Sequence, residues 1–373
     1  MRIALDTTPL LGPRTGIGRY VLSLARELGS AASRHGDAVL GLALTARGRG
    51  SLPGQLPPGV RAVGPRVPAR LIQRIWTHVE WPSATLLTGP VDLFHATNFV
   101  LPPPGRCAGV VTVHDLSFLH RPETVTRAVH AYRELVPLSV RRARMVLTPS
   151  AAVAAEIVDA YALPEDRVTV THLGVDPAWF QASPPDAALR RRLGLPDRYF
   201  VFIGNLEPRK NLPLLLDAFR ALIDAEPDAP GLVLVGPPGW GPALDLRGLP
   251  EGSVVFTGYQ EERELQSLVA GAQALLYPSL YEGFGLPPLE AFAAGTPVVA
   301  SDLPVIREVV GEGAGTAALV APDDVDALAT ALLDRARVPD PPGAADARRA
   351  RAAEFTWAAT AAATRAAYLR ALS

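Results

Sequence analysis

The feature that most constrains the fold is a rhythm. Short, nearly all-apolar runs alternate with stretches of helical periodicity, and the alternation passes along the chain twice. In the first half the runs are RIALDTT, VLGLALTA, VDLFHAT, GVVTVHDL, RMVLTPS and RVTVTHLG. In the second they are RYFVFIGNL, GLVLVGPP, SVVFTGY, ALLYPS, TPVVASD and AALVAP. Runs of this kind suit strands covered on both faces, and the helical stretches between them make the crossovers of a parallel sheet. In the first such helix, Tyr20, Val21, Leu24 and Leu28 fall on one face. At 373 residues the chain exceeds one ordinary core. The pattern predicts an α/β protein of two doubly wound, Rossmann-like lobes, residues 1–180 and 195–352. A Pro-, Asp- and Ala-rich linker lies near 178–198, and a second break spans 337–355. The last helix, within 355–373, is expected to cross back and complete the first lobe. Ligands of such sheets gather beyond the carboxyl ends of the strands. The groove between lobes is the expected site.

Composition then excludes several functions. A net charge of −1 gives no general case for binding nucleic acid. The first 178 residues nevertheless carry 19 arginines against 13 acidic residues, which hints at an anionic partner there. Cys107 is the single cysteine, so neither an internal disulfide nor a cysteine-rich zinc site can form. The opening MRIALDTTPL has an acid at Asp6 and does not read as a signal peptide. No run approaches the roughly 18 apolar residues of a membrane span. A cytoplasmic enzyme or binding protein is expected.

Three stretches could carry chemistry. In GPRTGIGRYV, Gly16, Ile17 and Gly18 precede a helix, where bare amides and the helix dipole attract an anion. The third glycine of a dinucleotide fingerprint is missing, which disfavours a dehydrogenase. In FIGNLEPRKN a strand ends at Gly204, and Arg209 and Lys210 follow at its carboxyl end. Lys210 is the only lysine of the chain; the other 35 positive side chains are arginines. An arginine can grip a diphosphate through its fork, and a lysine acts as a point charge. Asn211 is read as the cap of the helix that follows. In LYEGFGLPPLEAFAAGTPVVASD, Glu282 follows a strand, and Gly283, Phe284 and Gly285 allow close approach of backbone to ligand. Pro287 and Pro288 then open a helix carrying Glu290. Carboxylates at 282 and 290 can each take two neighbouring hydroxyls, as in sugar or ribose diols.

At these residues the sequence resembles the GT-B-fold retaining glycosyltransferases of family 4, with its most specific likeness from Tyr199 to Asp302. The resemblance implies two Rossmann-like lobes facing a central groove and a transfer of a hexose, with retention, from a nucleoside-diphosphate sugar to a hydroxyl acceptor. It implies roles as well. Glu282 contacts the donor sugar and Glu290 the ribose, while the amides from Gly283 to Leu286 touch sugar and phosphates. Arg209 and Lys210 neutralise the diphosphate, Gly16–Gly18 closes over it, and His114 lies near the reacting carbon. Many members place an arginine where this chain has Asn205, beside Gly204, which leaves the neutralising charge to Arg209 and Lys210. The TGIGRY and HDLSFLHRPE stretches lean toward mannose and a GDP donor, in polysaccharide or natural-product assembly.

Other residues are weaker candidates. His95 and Asp115, each at a strand end, are placed on the acceptor side, and Tyr259 at the nucleobase. The stretch DDVD at 323–326 reads as a helix cap and not as a metal pair, so no essential metal is expected. Arg70, Arg74, Arg141, Arg142 and Arg144, with Trp76 and Trp81, suit peripheral contact with the inner membrane face or a lipid-linked acceptor. A nucleotide-sugar epimerase on the same fold and a non-catalytic nucleotide-sugar-binding protein stay open as alternatives.

Overall fold

A strand covered on both faces has to be apolar throughout. In the computed structural model of the chain, Tyr199, Phe200, Val201 and Phe202 of one such run are all fully buried. Each such side chain contributes on the order of 2 kcal/mol through burial. The structure describes all residues except 13–15, 46–53, 55, 66 and 312–316. The chain divides into two units. One comprises Met1–His120, Arg127–Gly174 and Thr356–Ser373, and the other Arg121–Thr126 and Val175–Phe355.

In the first unit the strands are β1 (Arg2–Asp6), β2 (Ala38–Leu42), β3 (Val60–Val63), β4 (Leu93–Ala96), β5 (Ala108–Thr112), β6 (Met145–Thr148) and β7 (Val168–Val170). Among the described residues they form one parallel sheet in the order β3-β2-β1-β4-β5-β6-β7. The second unit repeats the scheme with β8 (Tyr199–Ile203), β9 (Gly231–Val235), β10 (Val254–Gly258), β11 (Leu275–Tyr277), β12 (Val298–Ser301) and β13 (Ala317–Val320). Their order is β10-β9-β8-β11-β12-β13, again all parallel. Both sheets are doubly wound and Rossmann-like, as the alternating runs predict. Each reverses its winding once, between β1 and β4 in the first unit and between β8 and β11 in the second. The loops leaving those strand pairs diverge and open a crevice at the carboxyl ends.

The terminal helix, Trp357–Leu372, packs on the helix Gly16–His35 and on β5 and β6, and so completes the first sheet's cover. Gly174 lets it approach. A Cβ there would lie 2.2 Å from the Trp357 backbone nitrogen.

Several details differ from the sequence reading. The edge strand β3 (VRAV) has no apolar run to announce it, because it mixes half-buried and exposed positions. The break at 337–355 holds a helix, Ala344–Ala353, whose Arg348 is wholly buried and donates to the Gly295 carbonyl and to Asp340. The stretch near 178–198 also carries a helix, Ala187–Leu193, which Asp186 caps through the Leu189 N–H at 2.7 Å. The helix after β1 begins at Gly16, so Gly16, Ile17 and Gly18 form its first turn and do not precede it. The preceding loop residues 13–15 and the Arg70 side chain lie outside what the structure describes.

Candidate active site

Strand β8 ends against β9, and glycines let its loop continue that pairing. The Gly204 N–H donates to the Val235 carbonyl at 3.0 Å, and the Leu206 N–H to that of Pro237 at 3.3 Å. Gly236 is obligatory here, since a Cβ would lie 2.0 Å from the Gly204 oxygen. So anchored, the loop turns through Pro208–Lys210 and sends Arg209 and Lys210 toward the loop that leaves β11. The Leu280 N–H closes the junction by donating to the Arg209 carbonyl at 2.9 Å.

The two loops meet in a cluster of charge. Lys210 Nζ donates to Glu282 Oε1 at 2.6 Å and to the Tyr277 hydroxyl at 3.2 Å, with the Tyr277 ring centroid 4.7 Å away. Arg209 Nη1 donates to Glu282 Oε2 and to the Tyr281 carbonyl, both at 2.9 Å. On the far side of its fork, Nε and Nη2 reach Glu207 Oε1 at 3.2 and 2.9 Å. Glu207, Lys210 and Glu282 are all buried, at 7%, 7% and 8% exposure. Burial alone would raise the Glu282 carboxyl, but Arg209 and Lys210 overcome it and hold the group at about 2. Burial draws Lys210 below the ordinary lysine range, against the pull of Glu282.

This geometry explains the solitary lysine. Its stem runs past Gly204, where even a Cβ would already sit 3.4 Å from Cε, and its head donates in two directions beside an aromatic face. A planar guanidinium with five fixed N–H groups does not fit that role. Two carboxylates and two cations make the cluster formally neutral. A diphosphate entering here would find both cations already oriented, with one of the three Lys210 N–H donors unused among the described residues.

Next to the cluster, Gly283, Phe284 and Gly285 lead into the helix Leu286–Ala294. Gly285 adopts φ +115°, and a Cβ on it would lie 2.9 Å from Ile306 Cδ1. Pro287 and Pro288 occupy the helix's first turn and lack N–H groups, so among its first three positions only Leu286 has a donor for an anion. Glu290 is buried on the same helix, one turn further along. Asn205 is half-buried on the β8 loop, and Tyr259, directly after β10, is exposed. Asn211 differs from expectation. It sits at the helix start with φ +55°, yet its side chain donates to the Pro322 carbonyl and caps nothing.

In the first unit, His114 lies just beyond β5. Its Nε2–H donates to the Thr97 carbonyl at 2.8 Å, and the ring stands edge-on to Tyr20 and Phe99. Burial lowers its pKa, so the imidazole is neutral with the proton on Nε2. His95 is a correction. It is wholly buried, with Nδ1 on the Tyr368 hydroxyl at 2.6 Å and Nε2 on Thr112 Oγ1 at 2.7 Å. Burial brings it down to about 3. Both ring nitrogens are engaged, so His95 joins the terminal helix to the sheet and has no atom left for an acceptor. Asp115 Oδ1 accepts the Ser117 N–H at 2.9 Å, which ties the carboxylate to the next turn. Glu207 and Tyr277 escaped the sequence reading. Glu207 lies two residues before Arg209, but only the folded loop aims it there. Tyr277 reads as one more strand residue until β8 and β11 become neighbours.

The comparisons with known proteins bear on this site. The family model described as "Glycosyl transferases group 1" matches residues 197–336, and "Glycosyltransferase Family 4" matches residues 14–179. The O-antigen chain mannosyltransferase B of Escherichia coli is 33% identical to this chain over 96% of each. A D-inositol 3-phosphate glycosyltransferase of Streptomyces scabiei is 31% identical over 99% of this chain and 90% of that one. Among solved structures, the Anabaena protein Alr3699/HepE in complex with UDP matches with a TM-score of 0.68 at 20% identity, covering 98% of both chains.

Proposed function

Starting from the fact that the chain belongs to the group 1, family 4 glycosyltransferases with the GT-B fold, and is a hexosyltransferase using a nucleoside-diphosphate sugar, we propose that Arg209 and Lys210 hold the donor's diphosphate. The observation that carries this reading is the buried Arg209–Glu282–Lys210 cluster at the winding reversal of the second sheet. Cleavage of the sugar–phosphate bond builds negative charge on the departing diphosphate, and oriented cations at that point lower the barrier. Glu282, freed in part as the cations turn to phosphate, takes sugar hydroxyls. Glu290 takes the ribose, the amides of Gly283 to Leu286 line the sugar and phosphates, and Asn205 and Tyr259 border the nucleotide.

The donor is GDP-mannose in this reading. Support comes from two relatives named as mannosyltransferases, the Escherichia coli protein above and an enzyme of Mycolicibacterium hassiacum. Transfer proceeds with retention and without a metal. Glu282 is occupied with sugar hydroxyls in this reading, which favours the leaving phosphate as the group that takes the acceptor's proton on the same face. Peripheral membrane contact is supported by a run of exposed apolar side chains, Leu71, Val79, Trp81 and Leu86, in the arginine-rich stretch of the first unit. Among the described residues no helix is long and apolar enough to cross a membrane.

The experiment is a thermal-shift panel of GDP, UDP, dTDP, ADP and NAD, each with and without EDTA. A ligand at a hundred times its dissociation constant adds about 2.7 kcal/mol. The expected result is stabilisation by GDP that EDTA leaves unchanged. Preference for another diphosphate would overturn the mannose assignment, and no shift with any diphosphate would overturn the donor site.

A further inference from the structure

Arg209 is gripped from two sides, and the two grips differ. Glu207 Oε1 accepts from both Nε and Nη2, at 3.2 and 2.9 Å, whereas Glu282 Oε2 accepts from Nη1 alone, at 2.9 Å. Glu282 is also shared, since its other oxygen takes the Lys210 ammonium. Among the described residues, Glu207 forms an ion pair with Arg209 and with no other cation.

The residue with the firmer grip is itself set in a fixed seat. A proline confines the residue before it to an extended backbone, and Glu207, which precedes Pro208, has φ −113° and ψ 154°. Its N–H donates to the Asn205 carbonyl at 2.8 Å, and its carbonyl accepts the Lys210 N–H at 2.9 Å. The loop after β9 lies directly on this stretch. A Cβ on Gly239 would meet the Leu206 oxygen at 2.4 Å and the Glu207 nitrogen at 3.0 Å. The Glu207 side chain therefore reaches Arg209 from a backbone held on three sides.

Charge alone does not account for Glu207. A diphosphate is an anion, and a buried carboxylate beside the cations that hold it works against its binding. Stability accounts for it no better, because the cost of desolvating a buried pair can exceed the attraction between its partners. What is left is orientation. A guanidinium offers its N–H groups in a rigid planar fork, so fixing one edge fixes where the rest points. We propose that Glu207 is a positioning residue of the transfer, holding Arg209 by its Nε–Nη2 edge while Nη1 exchanges Glu282 for an oxygen of the donor's diphosphate. Through that exchange Nη1 keeps its other contact, the Tyr281 carbonyl at 2.9 Å. The proposal rests on the donor reading above and deepens it, since it names the residue that aims one of the two cations.

Titration calorimetry on the full chain tests it, with the diphosphate and the monophosphate of the nucleoside that the thermal-shift panel selects, guanosine in the present reading. The ratio of the two affinities reads the grip on the second phosphate. Removing an anion should by itself raise that ratio, and losing the aim of Arg209 should lower it, so the sign separates charge from position. The expected result is a ratio about fivefold lower or more in Glu207→Ala and in the volume-keeping Glu207→Leu. Glu207→Gln should recover about threefold of that loss, because its amide oxygen still accepts from the same edge. In an Arg209→Ala background, Glu207→Ala should lower the ratio no further. Monophosphate binding in each variant shows that it folds. An unchanged or raised ratio in the folded Ala or Leu variant, a Gln variant as low as these, or a further fall in the Arg209→Ala background would each overturn the role of Glu207. If the wild type does not prefer the diphosphate, or Arg209→Ala leaves that preference intact, it is the donor reading that fails.

Discussion

The two sheets share one winding scheme but fill their reversal points with opposite chemistry. Between β8 and β11 lie two cations and two carboxylates, buried and mutually paired. Between β1 and β4 lie a carboxyl, an amide and an aromatic wall, with the histidines nearby kept neutral. The same topology thus gathers paired charge at one reversal point and, among the described residues, no cation in the cavity at the other. The winding fixes where the two loops part, and the side chains at the strand ends fix the chemistry found there.

The largest effect expected from breaking this contrast is at Lys210. Lys210→Met removes one cation and leaves Glu282 buried with Arg209 alone, a change that costs roughly 3–5 kcal/mol when a buried pair is broken. Urea denaturation should show that loss, and transfer activity should fall by well over tenfold. Lys210→Arg should not restore it, because the space beside Gly204 and Tyr277 fits an ammonium. Near-normal activity in either variant would remove the lysine from the site.

A second effect is the pH dependence of the charged crevice. Glu282 has a folded value of about 2 against an ordinary 4.5. For a carboxyl lowered by folding, the stabilisation is complete above the ordinary value and is lost as pH falls through the folded one. That contribution, on the order of 3 kcal/mol, should therefore disappear between about pH 4.5 and pH 2. The gap in urea midpoint between wild type and Glu282→Gln, widest at pH 7, should narrow through that window. A constant gap would mean the carboxylate is not held by its neighbours.

The smallest effect sharpens the comparison from the neutral side. His95→Leu strands the Tyr368 hydroxyl and takes one of two partners from the Thr112 hydroxyl, which keeps Tyr20, and should cost about 2 kcal/mol. Because His95 joins helix to sheet and faces no ligand, the thermal shift with the nucleoside diphosphate should be unchanged in that variant. A lost nucleotide shift would mean that His95 acts on the donor after all.

How much of this was legible without coordinates varies with the range of the forces involved. All six strands of the second unit are visible as apolar runs, the four inner ones because a strand covered on both faces has no polar position to disguise it, and the half-buried edges β10 and β13 because their residues stay apolar or small all the same. The β3 edge strand and the helix Ala344–Ala353 are not, since the half-covered β3 carries Arg61 at its exposed position and the helix follows a proline- and glycine-rich segment. Arg209, Lys210 and Glu282 stand out by residue type and by their place after strands. His95 stood out for the same reason and belongs to the scaffold, because its partners come from Thr112 and from Tyr368, the latter 273 residues away.

By itself, then, the sequence determined that this protein would be two parallel α/β sheets, and it marked the strand ends where charge and glycine gather. Periodicity and apolar runs are local, and local patterns suffice for that. Tertiary structure alone decided that Glu282 would be clamped by two cations and that Glu207 would hold the far side of Arg209. It also decided that Asp6 and Asn98 would face one cavity. Each of those outcomes depends on β8 lying beside β11, or β1 beside β4, and the spacing along a chain does not encode which strands become neighbours.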